Sequence, residues 1–242
     1  MNHNLVPLIL KTKASKDYAL LDSGNGKKLE RYGPYLLIRP EAQALWQPFL
    51  PHKEWQNVDA IFTGNLDEEG AGRWSFPKKP LEESWAMQWQ QLPFYGRFTS
   101  FRHVGVFPEQ DAHWRFLQSL LQEKTPLKVL NLFGYTGIAS LIAAQNNAHV
   151  THVDASKKAI NWAKENQVFS GLTKKPIRWI CEDAMKFVLR EERRKNSYDI
   201  ILLDPPAYGR GTHNEVWKFF DDIAQMLHTC SRILSPQACG VI

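Results

Sequence analysis

Apolar and polar positions follow two different regimes along this chain. Over roughly the first hundred residues the apolar runs are short, alternate with polar residues, and stop at turn formers. Tyr18-Ala19-Leu20-Leu21-Asp22, then Ser23-Gly24-Asn25-Gly26, then Lys27 to Tyr32 predicts a β-hairpin with Asn-Gly at the φ > 0 turn. Tyr35 to Arg39 is a further strand, halted at Pro40. Beyond it lie Trp46, Trp55, Trp74, Trp85 and Trp89 among Pro48, Pro51, Pro77, Pro80 and Pro93, with Gly70 and Gly72 marking turns. So many prolines exclude long helices. The region 1–100 therefore reads as a small β-rich domain.

Residues 98–108 form a connector, with Gly96 and Gly105 at its bends. Residues 109–123 then carry acids in the first turn and His113, Leu117, Leu120 and Leu121 at helical spacing. From Leu127 strands and helices alternate, the signature of a doubly wound α/β sheet. Val129 to Phe133 reads as a strand buried on both faces, followed by Gly134-Tyr135-Thr136-Gly137 and a helix rich in small residues. Further strands are expected over His149–Asp154, Ile177–Asp183 and Tyr198–Asp204. The intervening helices run from Ser156 to Phe169 and from Ala184 to about Arg194. A last helix spans Glu215–Arg232, with Val216, Phe220, Ile223, Leu227 and Cys230 on its apolar face. Ala238 to Ile242 reads as the start of a fifth strand, which leaves a sheet of this kind C-terminally incomplete. The second domain is thus 101–242, truncated in or after that strand.

Composition narrows the class. With 43% hydrophobic and 23% charged residues the 242-residue chain is an ordinary globular protein, and it has no run suited to a membrane span or signal peptide. Three scattered cysteines exclude a disulfide framework or a zinc site and place the protein in the cytoplasm. His149 and His152 fall on opposite faces of one strand, so no metal is expected. A net charge of +5 is compatible with a polyanionic partner. The tryptophans read first as core and hairpin packing. A sharper reading makes them a stacking surface for nucleotide bases beside Arg73, Lys78 and Lys79.

The chemistry gathers at the strand ends. Asp154, Asp183 and Asp204 close three successive strands, and in an open α/β sheet such ends line one crevice with the Gly134–Gly137 loop. Asp154 lies about twenty residues past the glycine turn, where an acid accepts hydrogen bonds from ribose hydroxyls. Asp183 is placed to accept from an exocyclic amine, though an aspartate there is equally a helix cap. Asp204-Pro205-Pro206-Ala207-Tyr208 forms a rigid turn at the switch point.

On these residues, Val129 to Gly137, Val153 to Ser156, Cys181 to Ala184 and Asp204 to Gly211, the chain resembles class I S-adenosylmethionine-dependent methyltransferases. Among them it is most similar to the bacterial large-subunit ribosomal RNA methyltransferases acting on cytosine C5 and guanine N7. The likeness covers Phe101 to Ile242, including Gly105 to Gln110. It implies a Rossmann-like methyltransferase sheet and S-adenosylmethionine as cofactor. Asn131, Phe133, Gly134, Tyr135, Thr136 and Gly137 would surround the methionine moiety, with Gln110 helping. Asp154, followed by Ala155 and Ser156, would hold the ribose, and Asp183 with Ala184 the adenine. Asp204, Pro205 and Pro206 would face the methyl group, with Asp204 the candidate catalytic residue. RNA is the partner this resemblance implies. Cytosine-C5 enzymes of the group carry a cysteine nucleophile after the fifth strand. Cys181, read as core, Cys230, on an apolar helix face, and Cys239 are poor substitutes. Ala207 also displaces Tyr208 from the position it holds in exocyclic-amine methyltransferases. Methylation of a protein or small molecule, and a cofactor-binding piece without turnover, are the rival expectations. A nicotinamide dehydrogenase fits badly, since the loop lacks G-x-G-x-x-G.

Overall fold

The computed structural model describes residues 11–64, 72–122, 126–211 and 215–242. They form two compact units, Met1–Trp85 with Arg97–Arg115, and Ala86–Gly96 with Phe116–Ile242.

The first unit is built on a five-stranded sheet of β1 (Tyr18–Gly24), β2 (Lys27–Tyr32), β3 (Tyr35–Pro40), β4 (Ala60–Gly64) and β5 (Gly72–Ser75), in that order. Asn25 and Gly26 take φ of 50° and 73°, the two left-handed residues that a right-twisted hairpin needs. β3 and β4 are parallel, and the connection between them carries the short helix α1 (His52–Gln56). Leu29, Ile38 and Val58 are buried at the centre, with Leu50 and Trp55 packed against them. Gly70 lies outside the described residues. Gly72, expected at a turn, instead opens β5, where a Cβ would come within 2.4 Å of the Phe62 ring.

Two polar features hold this unit. Glu30 and Arg39 are both buried on neighbouring strands, with Nε–Oε2 at 2.8 Å and a second bond of 2.9 Å to Oε1. The Arg39 guanidinium also donates to Tyr32 Oη at 2.5 Å, and Tyr18 Oη donates to Glu30 at 3.1 Å. Burial opposes ionisation of Glu30, but the Arg39 charge and its bonds hold the carboxyl below the usual range. The second feature is Asp22, which accepts from the backbone N–H of Ser23, Phe49 and Leu50 and from Trp55 Nε1, at 2.8–3.2 Å. These bonds outweigh its desolvation and lower its pKa. They fasten the loop that carries Leu45 (84% exposed), Trp46 (57%) and Phe49 (92%).

The tryptophans divide accordingly. Trp74 packs on Phe62 and Phe98 with centroids 5.2 and 5.0 Å apart, and Trp85 lies 4.6 Å from Phe98. Trp85 is buried and Trp74 half-buried among these rings, and Lys78 is tied to Asp59 at 3.0 Å. Trp46 is the exposed one, its Nε1–H donating to the Ser23 carbonyl.

After β5 in the sequence come a hairpin of β6 (Ser84–Trp89) and β7 (Leu92–Arg97), a 3-10 turn at Pro108–Gln110, and α2 (Asp111–Gln122). Along α2 the buried stripe is Trp114, Leu117 and Leu121; His113, expected on it, is exposed. The second unit holds β8 (Lys128–Leu132), α3 (Ile138–Gln145), β9 (His149–Asp154), α4 (Lys157–Phe169), β10 (Ile177–Cys181), α5 (Ala184–Arg193) and β11 (Ile200–Leu203). After these come β12 (Tyr208–Arg210), β13 (Val216–Lys218), α6 (Phe219–Arg232) and β14 (Gly240–Val241). The sheet order is β10-β9-β8-β11-β14, with every pair parallel. This is the doubly wound arrangement expected, and its order reverses between β8 and β11. Leu130, Leu132, Val153, Phe187, Ile201 and Met226 fill the core under the helices.

Three expectations are corrected here. The helix foreseen from Glu215 begins at Phe219, because Val216-Trp217-Lys218 alternates outward, inward, outward as β13 and pairs with β12. Its buried side follows Phe219, Ile223, Met226 and Cys230, while Phe220 is 92% and Leu227 45% exposed. Ile223 and Cys230 stand as expected, and Phe219 and Met226 take the places expected of Phe220 and Leu227. Cys181 is exposed at the end of edge strand β10 rather than in the core.

Candidate active site at the strand ends

The loop after β8 is shaped by close packing. A Cβ on Gly134 would stand 2.3 Å from His152 Cε1 and 3.0 Å from Asn131 Nδ2, and a Cβ on Gly137 would meet the Ala163 methyl at 2.8 Å. Gly137 has φ 84°, and Phe133 and Tyr135 adopt φ of 54° and 50° without being glycines. Such backbone costs of order 1 kcal/mol per residue and persists only where surroundings enforce it. Here Gly134 N–H bonds the Val153 carbonyl at 3.1 Å and Tyr135 N–H bonds Asp154 Oδ2 at 2.8 Å. Asn166 Nδ2, from α4, donates to the Thr136 carbonyl at 3.0 Å.

Beneath the loop runs a buried polar chain. Asn131 Nδ2 donates to Ser140 Oγ at 2.9 Å, and Ser140 Oγ lies 2.9 Å from His152 Nδ1. The hydroxyl has one proton and two lone pairs, so it accepts from Asn131 and shares a further hydrogen bond with Nδ1 of the ring. Burial pushes the imidazole pKa down to about 3, against a smaller opposing effect of the Tyr135 backbone. His152 is therefore a neutral structural support. Asn131 thus has one of its amide N–H groups in the support under the loop.

Asp154 ends β9 half-buried. Its second oxygen accepts from Ser156 N–H at 2.8 Å, so each oxygen holds one backbone amide. A carboxylate has about four acceptor positions, so two remain for hydroxyl donors. Burial raises its pKa, and the two amides only partly offset this. Ser156 caps α4, accepting from Ala159 N–H at 3.2 Å, with Ala155 half-buried between the two. Asp183 stands two residues beyond β10 as the N-cap of α5, accepting from Lys186 N–H at 2.9 Å, and Ala184 is buried at the helix start. Asp204 is exposed past β11, with Pro205 and Pro206 leading into β12. α3 starts at Gly137 with no side-chain cap, leaving its first amides to other acceptors.

The loop, Asp154, Asp183 and Asp204 thus stand at the C-terminal ends of β8, β9, β10 and β11, the edge where open α/β sheets bind ligands. Gln110 belongs to the first unit, with its Oε1 3.0 Å from His113 Nδ1. Among the described residues no group of three or more His, Cys, Asp or Glu could hold a metal, and no helix is long and apolar enough to cross a membrane.

Sequence reasoning missed Trp217. Its indole is 4% exposed, donates Nε1–H to the Pro206 carbonyl at 2.8 Å, and lies 5.0 Å from the Phe133 ring. The signal was the two-residue alternation of Val216-Trp217-Lys218, obscured by the helical pattern that follows it.

A parallel sheet of this order, with glycine loop and acids at one edge, defines a nucleotide-type binding fold. The family model described as "Conserved hypothetical protein 95" matches residues 110–233. A SAM-dependent methyltransferase from Agrobacterium tumefaciens is 62% identical, with a TM-score of 0.93 over 98% of this chain and 75% of that one. The chain belongs to the Conserved hypothetical protein 95 family and, with it, to the SAM-dependent methyltransferases. "Ribosomal RNA large subunit methyltransferase K/L" of Shewanella frigidimarina is 36% identical over 141 residues, 57% of this chain. The chain spans only 19% of that relative's length. SMU.776, a candidate methyltransferase solved with SAH, is 19% identical with a TM-score of 0.71 over 91% of this chain and 60% of that one, a likeness of fold.

Proposed function

We propose that the second unit binds S-adenosylmethionine at the C-terminal edge of its sheet and directs its methyl group to a base in RNA, ribosomal RNA first. The observation that carries the cofactor reading is Asp154, half-buried at the end of β9 with two acceptor positions left over after Tyr135 and Ser156. The loop fits as well, since glycine at 134 and 137 lets its backbone pack directly on His152 and Ala163, as a side chain at either position would not. When bound, the cofactor supplies an electrophilic methyl group on a sulfonium centre.

Asp154 accepts from the ribose hydroxyls, and Asp183 with Ala184 borders the adenine. Phe133 to Gly137 and the open N-terminus of α3 receive the methionine end. Asp204 and the two prolines would face the methyl group, with Asp204 the candidate to take the nucleophile's proton. The residues' main work is alignment, since holding reactants in line lowers the barrier by several kcal/mol.

RNA as substrate is supported by the name of the Shewanella relative, a ribosomal RNA methyltransferase, and by the net charge of +5. A cytoplasmic place of work goes with that substrate. The test is calorimetric titration with S-adenosylhomocysteine of the native chain and Asp154→Ala, followed by transfer of labelled methyl to an unmodified large-subunit rRNA transcript. Micromolar binding lost in Asp154→Ala, with label in RNA, is the expected result. A folded native chain that binds no S-adenosylhomocysteine overturns the reading. Label entering protein or small molecules but not RNA overturns the substrate.

A further inference from the structure

We propose that Trp217 is a positioning residue that locks the Asp204–Pro206 turn to the glycine loop, so that both sides of the reaction site keep one spacing. The inference rests on the reading of that site given above.

The turn has an unusual problem. Pro205 and Pro206 have no N–H, so this stretch of backbone is anchored through its carbonyls or by packing. The indole N–H is a donor with no acceptor function, and here it is aimed at the Pro206 carbonyl at 2.8 Å. The next carbonyl, Ala207, accepts from Phe219 N–H at 3.0 Å, so β13 and the start of α6 hold the turn at two consecutive peptides. The same indole packs on Phe133, whose left-handed φ of 54° sets the first bend of the glycine loop. One buried side chain therefore touches the loop after β8 and the turn after β11, on either side of the point where the strand order reverses. A filler of this volume would have no need of a donor at that carbonyl. A displacement of about 1 Å between such groups costs on the order of a hundredfold in rate.

Hydrogen exchange of the full chain, with and without S-adenosylhomocysteine, tests this. In the native protein the ligand slows exchange in segments 131–139 and 204–211. In Trp217→Phe, which keeps a ring against Phe133 but lacks the N–H, protection of 131–139 and ligand affinity persist. Protection of 204–211 falls about tenfold, and kcat on the rRNA transcript falls about tenfold at unchanged KM. Phe133→Leu, which removes the ring contact instead, uncouples the two segments in the same way. Full ligand-linked protection of both segments in Trp217→Phe overturns the proposal. Should that variant not fold, full protection of both in Phe133→Leu does so. A native chain with no ligand-linked protection of 131–139 overturns the site itself, and this inference with it.

Discussion

Gly134 lies directly against the His152 imidazole, with no room between them for a methyl group. Glycine is required here by its neighbour rather than by its own dihedral angles. Gly134→Ala is expected to cost 1–3 kcal/mol or thereabouts, as overpacking of a filled site does, and to lower S-adenosylhomocysteine affinity at least tenfold. Urea unfolding alongside calorimetry checks both.

His152 makes stability depend on pH in a defined window. Its pKa is about 3 in the fold, against 6.5 for the unfolded chain, so the unfolded state binds the extra proton between these values. The contribution is complete above pH 6.5 and is lost as pH falls toward 3. One proton gives a slope of at most about 1.4 kcal/mol per pH unit. His152→Gln is expected to flatten the stability profile between about pH 5 and 6.5, above the range where carboxylates dominate. Denaturant unfolding at several pH values measures the difference; equal slopes in both proteins would exclude a neutral buried His152.

Asp22 fastens the loop carrying Trp46 and Phe49 through four donors. Asp22→Ala leaves those donors without their acceptor and is expected to cost roughly 1–3 kcal/mol. Because the folded pKa is depressed, this stability is present above the unfolded value of 3.8 and lost as pH falls below it. Limited proteolysis is expected to cut the variant near Leu45–Phe49, while the native chain stays intact there.

Glu30→Gln and Arg39→Met each leave one buried partner of an ion pair uncompensated, an effect of about 3–5 kcal/mol. The double variant is expected to lose less than the sum of the two. Thermal unfolding of the three variants gives the coupling directly.

Local periodicity made most of both units legible before any coordinates. Asn25-Gly26 announced the first hairpin, the apolar run at Val129 announced the central strand, and Asp154 stood at the end of its strand at the expected distance. Signals carried by packing across the chain were not legible. Nothing in the sequence around Cys181 distinguishes an edge strand from a central one, since that depends on which strand pairs beyond it. Val216 to Lys218 merges with a helical pattern because three residues are too few to separate period two from period 3.6. The bond from the Asn131 amide to Ser140 is of the same kind, since it joins residues nine apart through the packing of α3 on β8.

The cluster of Tyr18, Glu30, Tyr32 and Arg39 also constrains how this sequence can drift. An exchange of Glu30 or Arg39 alone strands a charge away from water, so sequences one such step away are poor folders. An apolar replacement of the whole set could be as stable, but it lies several simultaneous substitutions off. Lineages that carry this ion pair are therefore held to it by the depth of the valley around it, whether or not the pair adds any stability of its own.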